Sequence, residues 1–369
     1  MSLEGKKIWL DVEQPKTGIM FNSLFRMLEE EGAELLITAR NYDSTYRILD
    51  DLGVDYVKVG KHGGALLIEK LQTYIDRLND LLPHVRSFSP DHFVTFSSIE
   101  GTRIAYGLGL PSIGINDEPR NIPVCKLLFP FIDKLITPEC IPIESYIKYH
   151  ADPERIIRYN GLDEIAWISE YKPNPEVLNK FRIEKGNYIV MRSEPSLACY
   201  FIDRLKPEET KISQILPPLY KKFPNYKYLL LVRNKLQEDY LRSKLGSFEN
   251  DGNVIITQYL PNIVDLCFFG GLIISGGGTI VRESSLLGVP SIEYFPGESA
   301  PQEEFLISNG FPLRHVKDTG DVVQEAEKIL NKGPTAGRFD LSFKEKIKNF
   351  ENPIKICQEE VIKKLSDNS

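Results

Sequence analysis

Residues 272–301 read LIISGGGTIVRESSLLGVPSIEYFPGESAP, and this stretch decides the fold. The apolar run 272–274 has the composition of a buried strand, and it ends in Ser275, Gly276, Gly277, Gly278 and Thr279. A helix-like segment follows, carrying Arg282, Glu283, Leu286 and Leu287 as far as Gly288; Val289 and Pro290 then lead into a second strand-like run at 291–295. Strand, glycine-rich turn, helix and strand make a βαβ unit. Three glycines let the backbone approach a ligand closely, and the N–H groups of the first helical turn point at it, so a diphosphate suits the turn. Glu283 lies one helical turn further on, where a carboxylate can accept bonds from ribose hydroxyls. Such a turn also serves simply to pack a helix tightly on a sheet, so by itself it leaves both uses open.

Outward from this unit, strand-like runs alternate with helical stretches along the whole chain. Strands are expected at 7–12, 34–38, 56–59, 92–95, 112–115 and 134–136, and again at 188–192, 228–232, 253–256, 272–274 and 291–294. Amphipathic segments such as 21–31 and 66–82 lie between them, with apolar residues at helical spacing. Apolar strands separated by helices mean parallel sheets covered on both faces. The rhythm breaks over 160–186, where Pro173 and Pro175 stand among charged and aromatic residues. The expected fold class is therefore α/β with two Rossmann-like domains: residues 1–165, a linker at 166–186, a second domain at 187–350, and a final helix at 351–369. Ligands of such sheets sit at the carboxyl ends of the strands, here in a cleft between the two domains.

Composition narrows the function. A chain of 369 residues exceeds what one core usually supports, which agrees with two domains. A net charge of −7 argues against nucleic acid or an anionic membrane as the main partner. No apolar run reaches the ~20 residues that span a bilayer and the first residues lack a signal-peptide core, so a cytoplasmic protein with no transmembrane segment is expected. Cys125, Cys140, Cys199, Cys267 and Cys357 are dispersed without a CxxC pair, and the five histidines show no ligand spacing. We read the thiols as reduced and expect no metal site. Self-association is left open, since no repeat or heptad pattern is evident.

The order of glycines, Glu283, Leu287-Gly288-Val289-Pro290, Pro296-Gly297 and Gln302 resembles the donor-binding segment of GT-B glycosyltransferases and of the UDP-N-acetylglucosamine 2-epimerases. The resemblance implies that Ser275, Gly276, Gly277, Gly278 and Thr279 hold a nucleotide's diphosphate, that Glu283 holds the ribose, and that Gln302 touches the sugar. It also implies a GT-B-like fold in which the last helix returns to the first domain, and a nucleotide-diphosphate sugar, UDP-linked, as substrate with no further cofactor. A closer resemblance, over most of the chain, is to the prokaryotic domain of unknown function 354. It is carried by Gly277-Gly278-Thr279, Arg282-Glu283-Ser284, Tyr159-Asn160-Gly161 with Glu164, Asp117-Glu118 and Trp9-Leu10-Asp11. Lys16-Thr17 stands after Pro15, where that family's pattern leads us to expect a histidine-containing loop.

The remaining candidates fall at predicted strand ends. Asp117 and Glu118 follow the strand at 112–115; either a solvated helix start or a general base fits them, and we favour the base. The 2-epimerases carry a glutamate after the corresponding strand, which points to Glu118. Ser98 and Ser97 follow 92–95, with Glu100 beside them; capping suits both hydroxyls, and Ser98 is also an acceptor-side candidate. Thr17 and Gly18 either bind an acceptor phosphate or start a helix. Arg192 and Arg233 end strands in the second half, where an arginine can stabilise a departing diphosphate in place of a metal; Glu194 lies beside Arg192. The expectation is a metal-independent glycosyltransferase acting on a nucleotide sugar and an unknown acceptor. A nucleotide-sugar 2-epimerase is the alternative, set second because no histidine stands where the epimerases have one. A non-catalytic nucleotide-sugar-binding protein is the third.

Overall fold

The computed structural model describes residues 2–64, 66–196, 206–249, 252–333 and 342–366. Cys199 lies outside them. The chain divides into two compact units, Met1–Trp167 with Phe350–Ser369, and Ile168–Asn349. Among the described residues no helix is long and apolar enough to cross a membrane.

The first unit holds seven parallel strands: β1 (Lys7–Val12), β2 (Glu34–Asn41), β3 (Val57–Lys61), β4 (His92–Thr95), β5 (Ser112–Ile115), β6 (Lys134–Pro138) and β7 (Ile156–Tyr159), in the order β3-β2-β1-β4-β5-β6-β7. β1 shows why both faces are covered. Successive side chains of a strand point to opposite sides, and Ile8, Leu10 and Val12 enter one core while Trp9 enters another. The first core is closed by the helices Pro15–Glu30 and Pro353–Ser366, the second by the helices Leu67–Phe88 and Ile99–Leu108. Ile354, Cys357, Val361 and Leu365 pack beside β1 residues, so the last helix belongs to the first unit although 182 residues of the second separate it from the rest.

The second unit holds β8 (Tyr188–Arg192), β9 (Lys227–Leu231), β10 (Val254–Thr257), β11 (Leu272–Ser275), β12 (Ser291–Tyr294) and β13 (Leu313–Val316), all parallel, in the order β10-β9-β8-β11-β12-β13. Each sheet reverses its strand order once, between β1 and β4 in the first and between β8 and β11 in the second. Helices leave in opposite directions there, which opens a crevice at the carboxyl ends of those strands.

Two strands are additional to the sequence-based set, β7 and β13, and both are sheet edges. An edge strand is covered less completely, so Ile156–Tyr159 and Leu313–Val316 carry an arginine each and lack a continuous apolar run. The helix expected at 21–31 begins earlier, at Pro15, because proline suits the first turn whether or not apolar periodicity has begun. The segment 160–186 contains two short helices, Ile165–Ile168 and Glu176–Phe181.

Candidate active site

In the first unit the crevice is built around a fully buried arginine. Arg77, on Leu67–Phe88, donates from Nη2 to Asp11 Oδ1 at 2.7 Å, from Nη1 to Glu100 Oε2 at 3.2 Å and from Nε to the Val59 carbonyl at 3.0 Å. Asp11 also accepts from the hydroxyls of Thr38 (2.6 Å) and Ser98. One guanidinium thus ties the end of β1 to the middle of β3 and to the start of the helix Ile99–Leu108. Ser98 caps that helix, accepting from the Gly101 N–H at 3.0 Å. Ser98 and Glu100 are therefore framework here.

Beside this framework stands Lys16, in the first turn of Pro15–Glu30. Its ammonium lies 2.6 Å from Asp117 Oδ2 and 2.6 Å from Asp163 Oδ2, and 4.8 Å from the Phe96 ring centre. The Tyr159 hydroxyl donates to the other Asp163 oxygen. Asn116 holds the loop that carries Asp117: its amide donates to Ser97 Oγ, its side-chain oxygen accepts the Glu118 N–H, and its carbonyl accepts the Tyr146 hydroxyl, each at 3.1 Å. Burial, and then the Asp117 charge, push the Asp163 carboxyl well above the usual carboxylate range; Lys16 opposes them. Two buried carboxylates around one ammonium form a group that can take up a proton near neutral pH.

Glu13 is the second such group. Its Oε1 accepts from Thr17 Oγ1 at 3.1 Å, while Oε2 is buried with no hydrogen-bond partner among the described residues. Burial pushes this carboxyl up to about 7, against the attraction of Arg40. The raised value sets the sign of its linkage to stability. The neutral form costs little to bury, so stability is full at low pH and falls as pH rises from the unfolded value near 4.5 through about 7. Glu13→Gln is expected to unfold at higher urea than the parent above pH 8, by about 3 kcal/mol, and to match it near pH 4. Equal urea midpoints at high pH would contradict the buried, unpaired state of this carboxyl.

In the second unit the switch point carries the glycine turn. Ser275 ends β11, Gly277 precedes the helix Gly278–Leu286, and Ser275 Oγ accepts the Gly277 N–H at 3.0 Å. These glycines are required by close approach, since none of the three has a left-handed φ. A Cβ on Gly276 would strike the Glu194 side chain and lie 3.0 Å from the Tyr294 ring; one on Gly277 would lie 2.7 Å from Arg233 Nη2. The Arg233 guanidinium therefore lies against the turn, steered by its Nε donating to the Ser193 carbonyl at 3.0 Å. Glu194 is itself buried, accepting from Thr210 Oγ1 (2.6 Å) and the Lys211 N–H (2.9 Å) at the start of the helix Ile212–Lys222, and burial raises its carboxyl. Its bonds are those of a loop anchor.

Glu283 lies one turn into Gly278–Leu286, buried, with its charge felt at the Cys267 thiol, which burial has already pushed up. Arg282 pairs with Glu303 at 2.9 Å and ties this helix to Pro301–Ser308, whose second residue is the buried Gln302. The connection before Pro301–Ser308 is pinned by His315: Nδ1 lies 2.9 Å from Glu293 Oε2 and Nε2 lies 3.1 Å from the Gly297 carbonyl. The bond to Glu293 holds the imidazole above its ordinary value, favouring the form that donates from both nitrogens.

The structure thus gathers Ser275–Thr279, Arg233, Glu283 and Gln302 on adjoining elements of one unit, with Arg192 ending β8 beside them. In the other unit it brings Lys16, noted in the sequence only as standing in place of a histidine-containing loop, to Asp117, sets Thr17 on Glu13, and reveals Glu13, Asp163 and Arg77, which sequence reasoning had not singled out. Glu118 faces a different partner. Arg120 grips its carboxylate with two bonds of 2.6 Å, and the pair is partly exposed. Gly18 packs 3.3 Å from Leu49 at the position a Cβ would take, so it serves helix packing. Among the described residues no group of three histidine, cysteine or acidic side chains is arranged to hold a metal ion.

Residues 6–366 match the family described as Protein of unknown function (DUF354). The chain belongs to that family. A relative from Methanocaldococcus jannaschii, described as an uncharacterized protein, is 25% identical over 331 residues, covering 88% of this chain and 92% of its own. Among solved structures, the UDP-N-acetylglucosamine 2-epimerase of Neisseria meningitidis, bound to UDP-N-acetylglucosamine, superposes with a TM-score of 0.71 at 15% identity, covering 98% of this chain and all of that one. The Methanocaldococcus jannaschii UDP-N-acetylglucosamine 2-epimerase, in complex with UDP-N-acetylglucosamine and UDP, gives 0.69 at 15% identity, covering 98% of this chain and 99% of that one. The glycotransferase of kitacinnamycin gives 0.60 at 14%, with coverage of 98% and 99%. At these identities the likeness is one of fold, and it establishes the GT-B-like architecture with two Rossmann-like sheets for this DUF354 protein.

Proposed function

We propose that this DUF354 protein is a nucleotide-sugar enzyme whose second unit takes a uridine diphosphate sugar and whose first unit carries carboxyl groups that exchange protons near neutral pH. The observation that carries the nucleotide assignment is the glycine turn at the β8/β11 switch point, where the Arg233 guanidinium lies against the start of the helix Gly278–Leu286. Backbone N–H groups at a helix start and a neighbouring guanidinium together match the charge and geometry of a diphosphate. Arg192 supports the same pole from the end of β8, and Glu283 is placed to receive ribose hydroxyls.

Epimerisation at the sugar C2 is the chemistry these residues favour. A base removes the C2 proton while the C1–O bond breaks, and the nucleotide departs with that electron pair, leaving a C1–C2 double bond. Return of the nucleotide oxygen to C1 with protonation of C2 from the opposite face gives the epimer. Both directions need carboxyl groups that gain and lose protons near pH 7. Glu13 and the Lys16–Asp117–Asp163 group have that property, and two such groups suit the paired proton removal and return at C2, whereas transfer to an acceptor hydroxyl calls on a single base. The fold likeness to UDP-N-acetylglucosamine 2-epimerases supports the same choice of sugar. Glycosyl transfer is the second reading, supported by the likeness to a glycotransferase and by the lack of a histidine where the epimerases have one.

Thermal unfolding in the presence of nucleotides tests the nucleotide site. UDP and UDP-N-acetylglucosamine at a hundredfold excess over Kd are expected to stabilise the protein by about 2.7 kcal/mol, and ADP and GDP to do so less. Glu283→Ala is expected to fold and to lose most of that shift. A uridine nucleotide that gives no shift, or the same shift in folded Glu283→Ala, would overturn the assignment.

A further inference from the structure

Parallel pairing sets His315 of β13 beside Glu293 of β12, and the two side chains are only 10% and 9% exposed. Both ring nitrogens face oxygens: Nδ1 the Glu293 carboxylate at 2.9 Å, Nε2 the Gly297 carbonyl at 3.1 Å. A neutral imidazole has one N–H and can donate to one of them, whereas the imidazolium donates to both. When the ring loses a proton, the bond to the carboxylate is the stronger and is kept. Nε2 then turns a lone pair toward the Gly297 carbonyl, and that bond is lost. Gly297 lies within the connection 295–300, between β12 and the helix Pro301–Ser308. The connection is tightly wound, since a Cβ on Gly297 would strike the Phe295 ring. A second tie, Lys317 to Glu298 at 2.6 Å, is exposed and worth little. The helix that follows carries Gln302 and also Glu303, which pairs with Arg282 of the glycine-turn helix.

We propose that His315 is a positioning residue for the sugar end of the nucleotide site, a clasp that holds the connection 295–300, and with it Gln302, while the imidazole is charged and lets go when the proton leaves. The link to Gln302 rests on the nucleotide reading; the clasp itself does not. The groups around the ring favour the proton. Glu293 comes from β12, Glu298 from the connection and Glu303 from Pro301–Ser308, and each attracts the imidazolium. Arg282, on the helix Gly278–Leu286, is paired with Glu303. Arg314 and Val316, the neighbours of His315 along β13, point to the opposite face, where the helix Thr319–Leu330 packs against Val316. The bond to Glu293, and then the nearby carboxylates, hold the imidazole above its ordinary value of 6.5, so release falls on the alkaline side of that value. A nucleotide sugar is then bound more tightly in the protonated state than in the neutral one, and linkage requires the bound sugar to raise the proton affinity of His315 in return.

Amide hydrogen exchange over residues 295–305 of the full chain, corrected for the chemical effect of pH, tests the clasp without ligand. In the parent, opening is expected to be about tenfold more frequent at pH 8.5 than at pH 6, the worth of one hydrogen bond to a charged donor. His315→Gln sets an amide N–H near the place of Nε2 and donates to Gly297 at every pH, so its opening is expected not to change with pH. Calorimetry on the same two proteins then reads the positioning role. UDP-N-acetylglucosamine is expected to bind the parent about tenfold more weakly at pH 8.5 than at pH 6, and His315→Gln equally at both; the variant carries the same ligand ionisation and so corrects for it. Opening that is independent of pH in the parent, or a pH dependence that survives in His315→Gln, would overturn the clasp. A clasp that opens with pH while UDP-N-acetylglucosamine binds equally at both values would overturn the positioning role. A clasp that opens with pH in a protein that binds no uridine nucleotide at either value would uphold the clasp and overturn the nucleotide reading instead.

Discussion

Replacing Lys16 by methionine is expected to lower the unfolding free energy by roughly 3–5 kcal/mol at pH 8, the range for removing one partner from a buried ion pair. The side chain would still fill its space against Phe96. What disappears is the ammonium that two buried carboxylates share, and Asp117 and Asp163 would then face each other without the cation between them. The loss has a sign in pH. Carboxylates deprived of a cation bind protons more tightly, so the deficit is fully present above their raised values and shrinks as acid protonates one of them. Urea titrations at pH 8 and pH 5 check this, with a smaller gap at pH 5. Lys16→Met with Asp163→Asn should recover part of the loss, because the repulsion goes with the second carboxylate. A gap that is constant in pH, with no recovery in the double variant, would show that the three groups are not coupled.

Arg77→Met is the second large effect, also roughly 3–5 kcal/mol. It differs in kind, because the arginine is framework: its loss takes the guanidinium from buried Asp11, leaves Glu100 only its longer pair with Arg40 at 3.7 Å, and frees the Val59 carbonyl. Arg77→Lys is expected to recover little. An ammonium cannot reach a carbonyl and two carboxylates in a fixed fork as a guanidinium does. Urea midpoints of both variants test this, and a lysine variant as stable as the parent would refute the role assigned to the fork.

These two residues also mark the limit of what the chain discloses as a sequence. The glycine turn, its strand and its helix were legible because their signals are local: an apolar run, three glycines and a helical period lie within thirty residues. Central strands such as Lys7–Val12 and Ser112–Ile115 were legible for the same reason, being buried on both faces. Arg77 gave no local sign. It sits inside an amphipathic helix, where a charged residue reads as solvent-facing, and its partners lie 66 and 23 residues away. Lys16 and Asp163 are 147 residues apart, and only the return of the chain through seven parallel strands brings them together. Asp117 was recognised from its place after a strand. Its neighbour Glu118 has the same place but turns to Arg120, a choice between adjacent side chains that position alone does not dictate.

The central proposal, reversible proton exchange at the sugar C2, is tested most directly by incubating the full chain with UDP-N-acetylglucosamine in heavy water and following the sugar by proton NMR. The proposal predicts a second set of sugar signals from the C2 epimer, with deuterium replacing the C2 proton in both sugars. It also predicts that Glu13→Gln and Lys16→Met slow this exchange while still binding UDP. A protein that binds the nucleotide sugar yet leaves its C2 proton in place, with no epimer formed, would contradict it.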